Sequence, residues 1–121
     1  MVLRRKLDYA YPNQRAEVHV ADAAAATPDW QLAGAWHLAG GNTCIYSNPR
    51  DELGATQHIV QTSNRRFRDD EFILPRELTR GRERLRVRIT FTPVKVPLFP
   101  GHPLPELAWS EIRYDAYCWV L

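Results

Sequence analysis

Apolar and polar residues alternate with a period of two along most of this chain, the signature of strands that bury one face. In "LRRKLDYAY", Leu3, Arg5, Leu7, Tyr9 and Tyr11 share one face, and Arg4, Lys6, Asp8 and Ala10 share the other. Pro12 and Asn13 end that run. "RAEVHV" then sets Ala16, Val18 and Val20 against Glu17 and His19. "ADAAAATPD" interrupts as an expanded hairpin loop, closed by Thr27-Pro28-Asp29. "WQLAGAWHLA" is the returning strand, with Gly34 marking a bulge or a close backbone approach.

The second half repeats the logic. "EFIL" enters a strand, and "PRELTRG" predicts one helical turn near residues 75–80, with Pro75 at its start and Gly81 as its stop. "RERLRVRITF" points Leu85, Val87, Ile89 and Phe91 one way and Arg84, Arg86, Arg88 and Thr90 the other. "TPVKVPLFPGHPLPEL" carries five prolines and reads as an extended connection. In "AWSEIRYDAYCWV", alternation predicts a core face of Ile112, Tyr114, Ala116, Cys118 and Val120. Trp109, Glu111, Arg113, Asp115, Tyr117 and Trp119 fall on the other face. Six or seven strands, turns punctuated by Pro and Gly, and no long helix predict an all-β fold: an antiparallel β-sandwich of jelly-roll type.

Residues 39–63 break the pattern. Gly40-Gly41-Asn42, Asn48-Pro49 and Gly54 punctuate them, and only "QHIVQT" has strand character. An irregular segment of this length in a small domain is where function concentrates, or where an element has gone unrecognised.

Composition narrows the choices. At 121 residues the chain is one domain's worth, and 45% hydrophobic with 25% charged residues is ordinary for a globular core. Strand pattern from residue 2 to residue 121 suggests a single domain, 1–121, cut from a longer chain. A net charge of +2 gives no footprint for nucleic acid or an anionic membrane, and no apolar run reaches the ~18 residues of a membrane span. "MVLRRKLDYAY" lacks the apolar stretch of a signal peptide. Compartment stays open, as does a Cys44–Cys118 disulfide, because alternation already explains Cys118 as a small core residue.

Candidate chemistry is sparse. His19, His37, His58 and His102 show no metal-ligand spacing, and phosphate-binding or nucleophile motifs are absent. No cofactor is implied; structural calcium would draw on Asn42, Asn48, Asp51 and Glu52 in the irregular segment. The charged crowd "NRRFRDDE" holds the most conspicuous acids. Asp70 and Glu111 are the weak candidates for a glycosidase's paired carboxylates. The plainer reading is that Arg65, Arg66 and Arg68 neutralise Asp69, Asp70 and Glu71. Charge ladders at Arg84/Arg86/Arg88, Glu111/Arg113/Asp115 and Arg4/Lys6/Asp8 fit opposite charges stacked across a sheet. The aromatics exceed what one core face needs. Trp36, Asn42, Tyr46, Arg66, Arg68, Asp70 and Glu71 are the candidates for holding a sugar ring and its hydroxyls. Trp109, Tyr117 and Trp119 are the candidates for an interface with a neighbouring domain or subunit.

Two resemblances add expectations. "EFILPRELTRGRERLRVRI" looks like the hairpin of galactose-binding-domain-like jelly rolls, where a strand runs into "[IL]P-x-x-L-x-x-G" and the next strand alternates. "EVHV…LAGAW" resembles that fold's earlier hairpin. The wider layout of "RRKLDYAYPNQRAEVHV", "GAWHLAGGNT", "NRRFRDDEF" and "LAWSEIRYDAY" resembles the β-sandwich region of bacterial proteins related to glycoside hydrolase family 172, α-furanosidases that are often oligomeric. That family's "GTEDYF"-like catalytic segment has no counterpart here, so the resemblance carries no catalytic residue. It implies an accessory or C-terminal sandwich, non-catalytic in itself, that assists sugar binding or assembly of a carbohydrate-active protein. The alternatives from other classes are a structural or oligomerisation domain without ligand, and a small glycosidase.

Overall fold

A computed structural model describes residues 1–9, 14–39, 43–46, 60–63, 67–91 and 109–119; for 43–46 and 60–63 it describes the backbone alone. In chain order the elements are β1 (Val2–Asp8), β2 (Gln14–Asp22), β3 (Gln31–Leu38), β4 (Thr43–Tyr46), β5 (Val60–Ser63), β6 (Phe67–Ile73), α1 (Arg76–Thr79), β7 (Leu85–Phe91) and β8 (Arg113–Tyr117). The fold is all-β. One antiparallel three-stranded sheet runs β6-β1-β8, a second runs β3-β2-β7, and β4 pairs with β5.

The alternation predicted for β1 and β2 is the alternation observed. Leu3, Arg5 and Leu7 are buried along β1, and Gln14, Ala16, Val18 and Val20 along β2. The inner faces of the two large sheets share one core. Leu3 of the first sheet and Ala16, Val18, Val20 and Trp36 of the second cluster with Leu74 and Trp109. Trp36 of β3 stacks on Phe72 of β6 with ring centroids 5.6 Å apart, joining the sheets through two large apolar surfaces.

Gly34 is the close approach the sequence anticipates. The β2–β3 register shifts between Val18 and His19, so β3 carries one extra residue there. Gly34 takes φ +149°, and a Cβ at that position would stand 3.2 Å from the Phe72 ring. A side chain there would strain the backbone and push apart the sheet-to-sheet contact. The helical turn α1 likewise lies where Pro75 and Gly81 predict it, and Gly81 leaves it with φ +72° in open space.

Three expectations need correction. The segment read as irregular contains the β4–β5 hairpin, and "VQTS" is one of its strands. The charged "RDDE" belongs to β6 itself, because β6 starts at Phe67 and pairs along its whole length with β1. The face predicted to be the core side of the last strand is open. Ile112, Tyr114, Ala116 and Cys118 are all exposed, and Cys118 is a free thiol. Alternation fixes which residues share a face; it does not fix how far a neighbouring sheet extends over an edge strand.

Candidate functional site

The register of β6, β1 and β8 sorts the charged residues onto two faces with different chemistry. On the inner face Arg5 stands in a row with Asp70 of β6 and Tyr114 of β8. On the outer face Arg4 stands between Glu71 and Asp115, and Lys6 between Asp69 and Arg113. Asp69 and Asp70, adjacent in sequence, point to opposite faces and do not act as a pair. The partners of the β6 acids are supplied by β1, some 67 positions away for Arg4 and Glu71. Arg65 and Arg66 lie outside the described residues, and Arg68 packs its guanidinium 4.9 Å from the Tyr9 ring.

The inner row is a buried polar network. Arg5 is 0% exposed. Its Nη1 donates to Gln14 Oε1 at 2.8 Å and to the Ser110 carbonyl at 2.9 Å. Gln14 in turn donates from Nε2 to the Asp8 carbonyl and accepts at Oε1 from the Ser110 amide. The guanidinium lies flat on Trp109, 3.4 Å from the ring centroid, and 5.2 Å from that of Trp36. Such stacking holds a cation against apolar surface without a counter-ion in contact. Asp70 Oδ2 is 4.0 Å from Arg5 Nη2, and among the described residues Arg5 Nε and Nη2 have no hydrogen-bond partner. Burial pushes the Arg5 guanidinium down to about 10, with Tyr114 and Asp70 acting against the drop. It stays charged at neutral pH.

Both weak catalytic candidates flank this network, and both are engaged. Asp70 accepts the indole N–H of Trp36 at 2.7 Å. Glu111 accepts from the Tyr114 hydroxyl and, at 3.2 Å, from Trp109 Nε1, which also reaches the Tyr114 oxygen at 3.1 Å. Burial, followed by the hydrogen bond to Glu111, raises the Tyr114 phenol above its ordinary range. These bonds tie each carboxylate to an aromatic ring and fix its orientation.

Trp36 and Trp109 require correction as surface residues. Trp36 is 2% exposed and Trp109 is buried with it, so neither offers a face to a sugar or a partner. Their rings are consumed by the core because the two sheets converge on them. Asn42, Arg66 and the Tyr46 side chain fall outside the described residues, as do the loop residues Asn48, Asp51 and Glu52 considered for calcium. Among the described residues no three His, Cys, Asp or Glu side chains gather to hold a metal, and no helix is long and apolar enough to cross a membrane.

The outer face ends in a different arrangement. Beyond β8, Trp119 is 78% exposed, and Tyr117 is exposed beside it. Together with Val2, Arg4, Glu71 and Cys118 they line a recess of about 370 Å3. Arg4 donates from Nε and Nη2 to Glu71 Oε1 at 2.9 and 2.7 Å and from Nη1 to the Tyr117 hydroxyl at 3.3 Å. Its guanidinium also lies 4.7 Å from the Tyr117 ring. The recess thus offers an open indole face beside a fixed set of donors and acceptors. Glu71 was legible as a binding candidate and Tyr117 and Trp119 as exposed aromatics. Arg4 was not singled out, because its place between them depends on β1 being the central strand. The signal for Arg5 was present: it is the one charge on an otherwise apolar face of β1. Compared with protein-family models, with curated proteins and with solved structures, the chain matches none.

Proposed function

We propose that this chain is a non-catalytic β-sandwich module, of jelly-roll type, in a carbohydrate-active protein related to glycoside hydrolase family 172. In this reading it holds saccharide at the Trp119 recess. The supporting observation is the coincidence of an open indole and a Tyr ring with Arg4 and Glu71 in one recess. Sugar rings present an apolar C–H face that stacks on an indole, and hydroxyls that need paired donors and acceptors. Arg4 and Glu71 supply both, already oriented by their mutual ion pair. The engagement of Asp70 and Glu111 with buried indoles favours binding over catalysis for this chain.

Tryptophan fluorescence and calorimetry with arabinan, fructan and galactoside oligosaccharides test the reading. Binding is expected to quench or shift the emission of Trp119, and Trp119→Ala to abolish the heat while leaving the circular dichroism unchanged. Silence across the panel removes the proposal. A second reading, an assembly domain without ligand, is favoured by the exposure of Phe67, Ile73 and Trp119. It predicts self-association by light scattering that Ile73→Ser and Trp119→Ser relieve.

A further inference from the structure

Trp119 and Cys118 line two hollows, and the second has its own chemistry. It is a groove of about 630 Å3 with Ile73, Leu74 and Pro75 among its apolar residues. Arg76, Arg80 and Arg82 line it as well. The helical turn and its exit place them there. Arg76 and Arg80 are four positions apart, one turn of helix, so they rise on the same side. Gly81 then reverses the chain with φ +72° and returns Arg82 to the groove.

These three guanidiniums differ from Arg4 and Arg113 of the outer sheet face. Arg4 is ion-paired with Glu71 at 2.7 Å and Arg113 with Asp115 at 2.9 Å, so the outer sheet face is compensated. Among the described residues no carboxylate lies within ion-pair distance of Arg76, Arg80 or Arg82. Among the described residues no carboxylate lines the groove. Three uncompensated positive charges beside apolar walls focus a field that favours a discrete anionic group. The guanidinium fork suits a carboxylate in particular, because two parallel N–H donors match its two oxygens.

We propose that the ligand of this surface is an acidic oligosaccharide. A sugar ring stacks on Trp119, its hydroxyls meet Arg4, Glu71 and Tyr117 on one side, and a uronate carboxylate meets the three arginines on the other. The inference rests on the saccharide reading of Trp119 and adds the charge of the sugar. An acidic peptide would satisfy the arginines but would bring no hydroxyls to the Arg4–Glu71 pair.

Calorimetry on the whole chain with oligogalacturonate, with a neutral galacto-oligosaccharide of equal length, and with an oligoglutamate peptide separates the outcomes. The expected result is uronate binding at least ~10-fold tighter than neutral sugar, with the preference shrinking as salt rises from roughly 0.05 to 0.5 M. Replacing Arg76, Arg80 and Arg82 together by Ser should erase the preference and leave neutral binding in place. Trp119→Ala should weaken both sugars. Folding of each variant is checked by circular dichroism, and the single Arg76→Ser and Arg80→Ser variants, both at exposed positions, provide the reading if the triple variant fails to fold. Equal binding of the two sugars overturns this inference and leaves the saccharide reading standing. Tighter binding of oligoglutamate than of oligogalacturonate overturns it in favour of a peptide partner. Failure of both sugars to bind overturns the inference, and the arabinan, fructan and galactoside panel then decides the saccharide reading separately.

Discussion

Arg5 carries a full charge into the core and meets it with stacking, two hydrogen bonds from one nitrogen and a carboxylate held at a distance. Removing it leaves Gln14 Oε1 short of one of its donors and the Trp109 face uncovered, and withdraws the cation from Asp70. Arg5→Met is expected to destabilise the fold by ~3 kcal/mol in urea denaturation. Arg5→Lys should recover little, because a point-charge ammonium cannot lie flat on Trp109 while reaching Gln14 and Ser110. Trp36→Phe keeps an aromatic ring but leaves Asp70 without its indole donor and a gap where the larger ring packed, at an expected cost of ~2–4 kcal/mol. Tyr114 governs the alkaline limb. Its folded phenol titrates above the unfolded value of 10, so the stability it provides is complete below pH 10 and is lost as pH rises further. Arg5 works in the opposite sense: its value, depressed by burial to about 10, means that its burial penalty is full below pH 10 and relieved above it. Tyr114→Phe should therefore flatten the loss of stability as pH rises above 10, read as urea midpoints. An unchanged slope would show that another group dominates.

At the scale of elements, Gly34 and Gly81 make a controlled comparison. Both have positive φ, but only Gly34 faces an obstacle, the Phe72 ring. Gly81→Ala is expected to lose ~1 kcal/mol from backbone strain alone. Gly34→Ala should lose clearly more, because the inter-sheet contact must also give; equal losses in thermal melts would refute the role assigned to Phe72. Both glycines were legible in the sequence, since each interrupts a clean local pattern. So were the faces of β1 and β2 and the turn between Pro75 and Gly81, all of which follow from local rules. What escaped is what depends on partners far along the chain. The "RDDE" acids look as if the neighbouring Arg65, Arg66 and Arg68 neutralise them, yet β1 supplies Arg4, Arg5 and Lys6 opposite them. Trp36 and Trp109 look like surplus aromatics until the sheets converge and enclose them. The openness of β8 could not be read from alternation, because exposure of an edge strand is set by the sheet packed on it.

For the whole molecule, the shared core predicts joint behaviour. Leu3, Val18, Trp36 and Trp109 belong to one cluster drawn from both sheets, so neither sheet keeps its interior without the other. Far-UV circular dichroism and the emission of the buried tryptophans should fall in a single coincident transition; separated midpoints would mean that the sheets unfold independently. The outer surface is expected to be nearly silent in the same assay. Ile73 is 73% exposed, and Ile73→Ser should shift stability by no more than ~0.5 kcal/mol.

The position of β1 has a kinetic meaning. As the central strand it takes one partner from β6 and the other from β8, and Arg4 reaches Tyr117 across 113 positions of chain. Contacts of such long sequence separation form late, which places this fold among slow folders. Until then Leu3 and Leu7 belong to an unpaired ribbon that could template on its own kind. Arg5, seated between them, is the gatekeeper of that waiting period: a cation that gives up its water only when Gln14, Ser110 and Trp109 are in place to receive it, and a hydrated guard on the nascent strand until then.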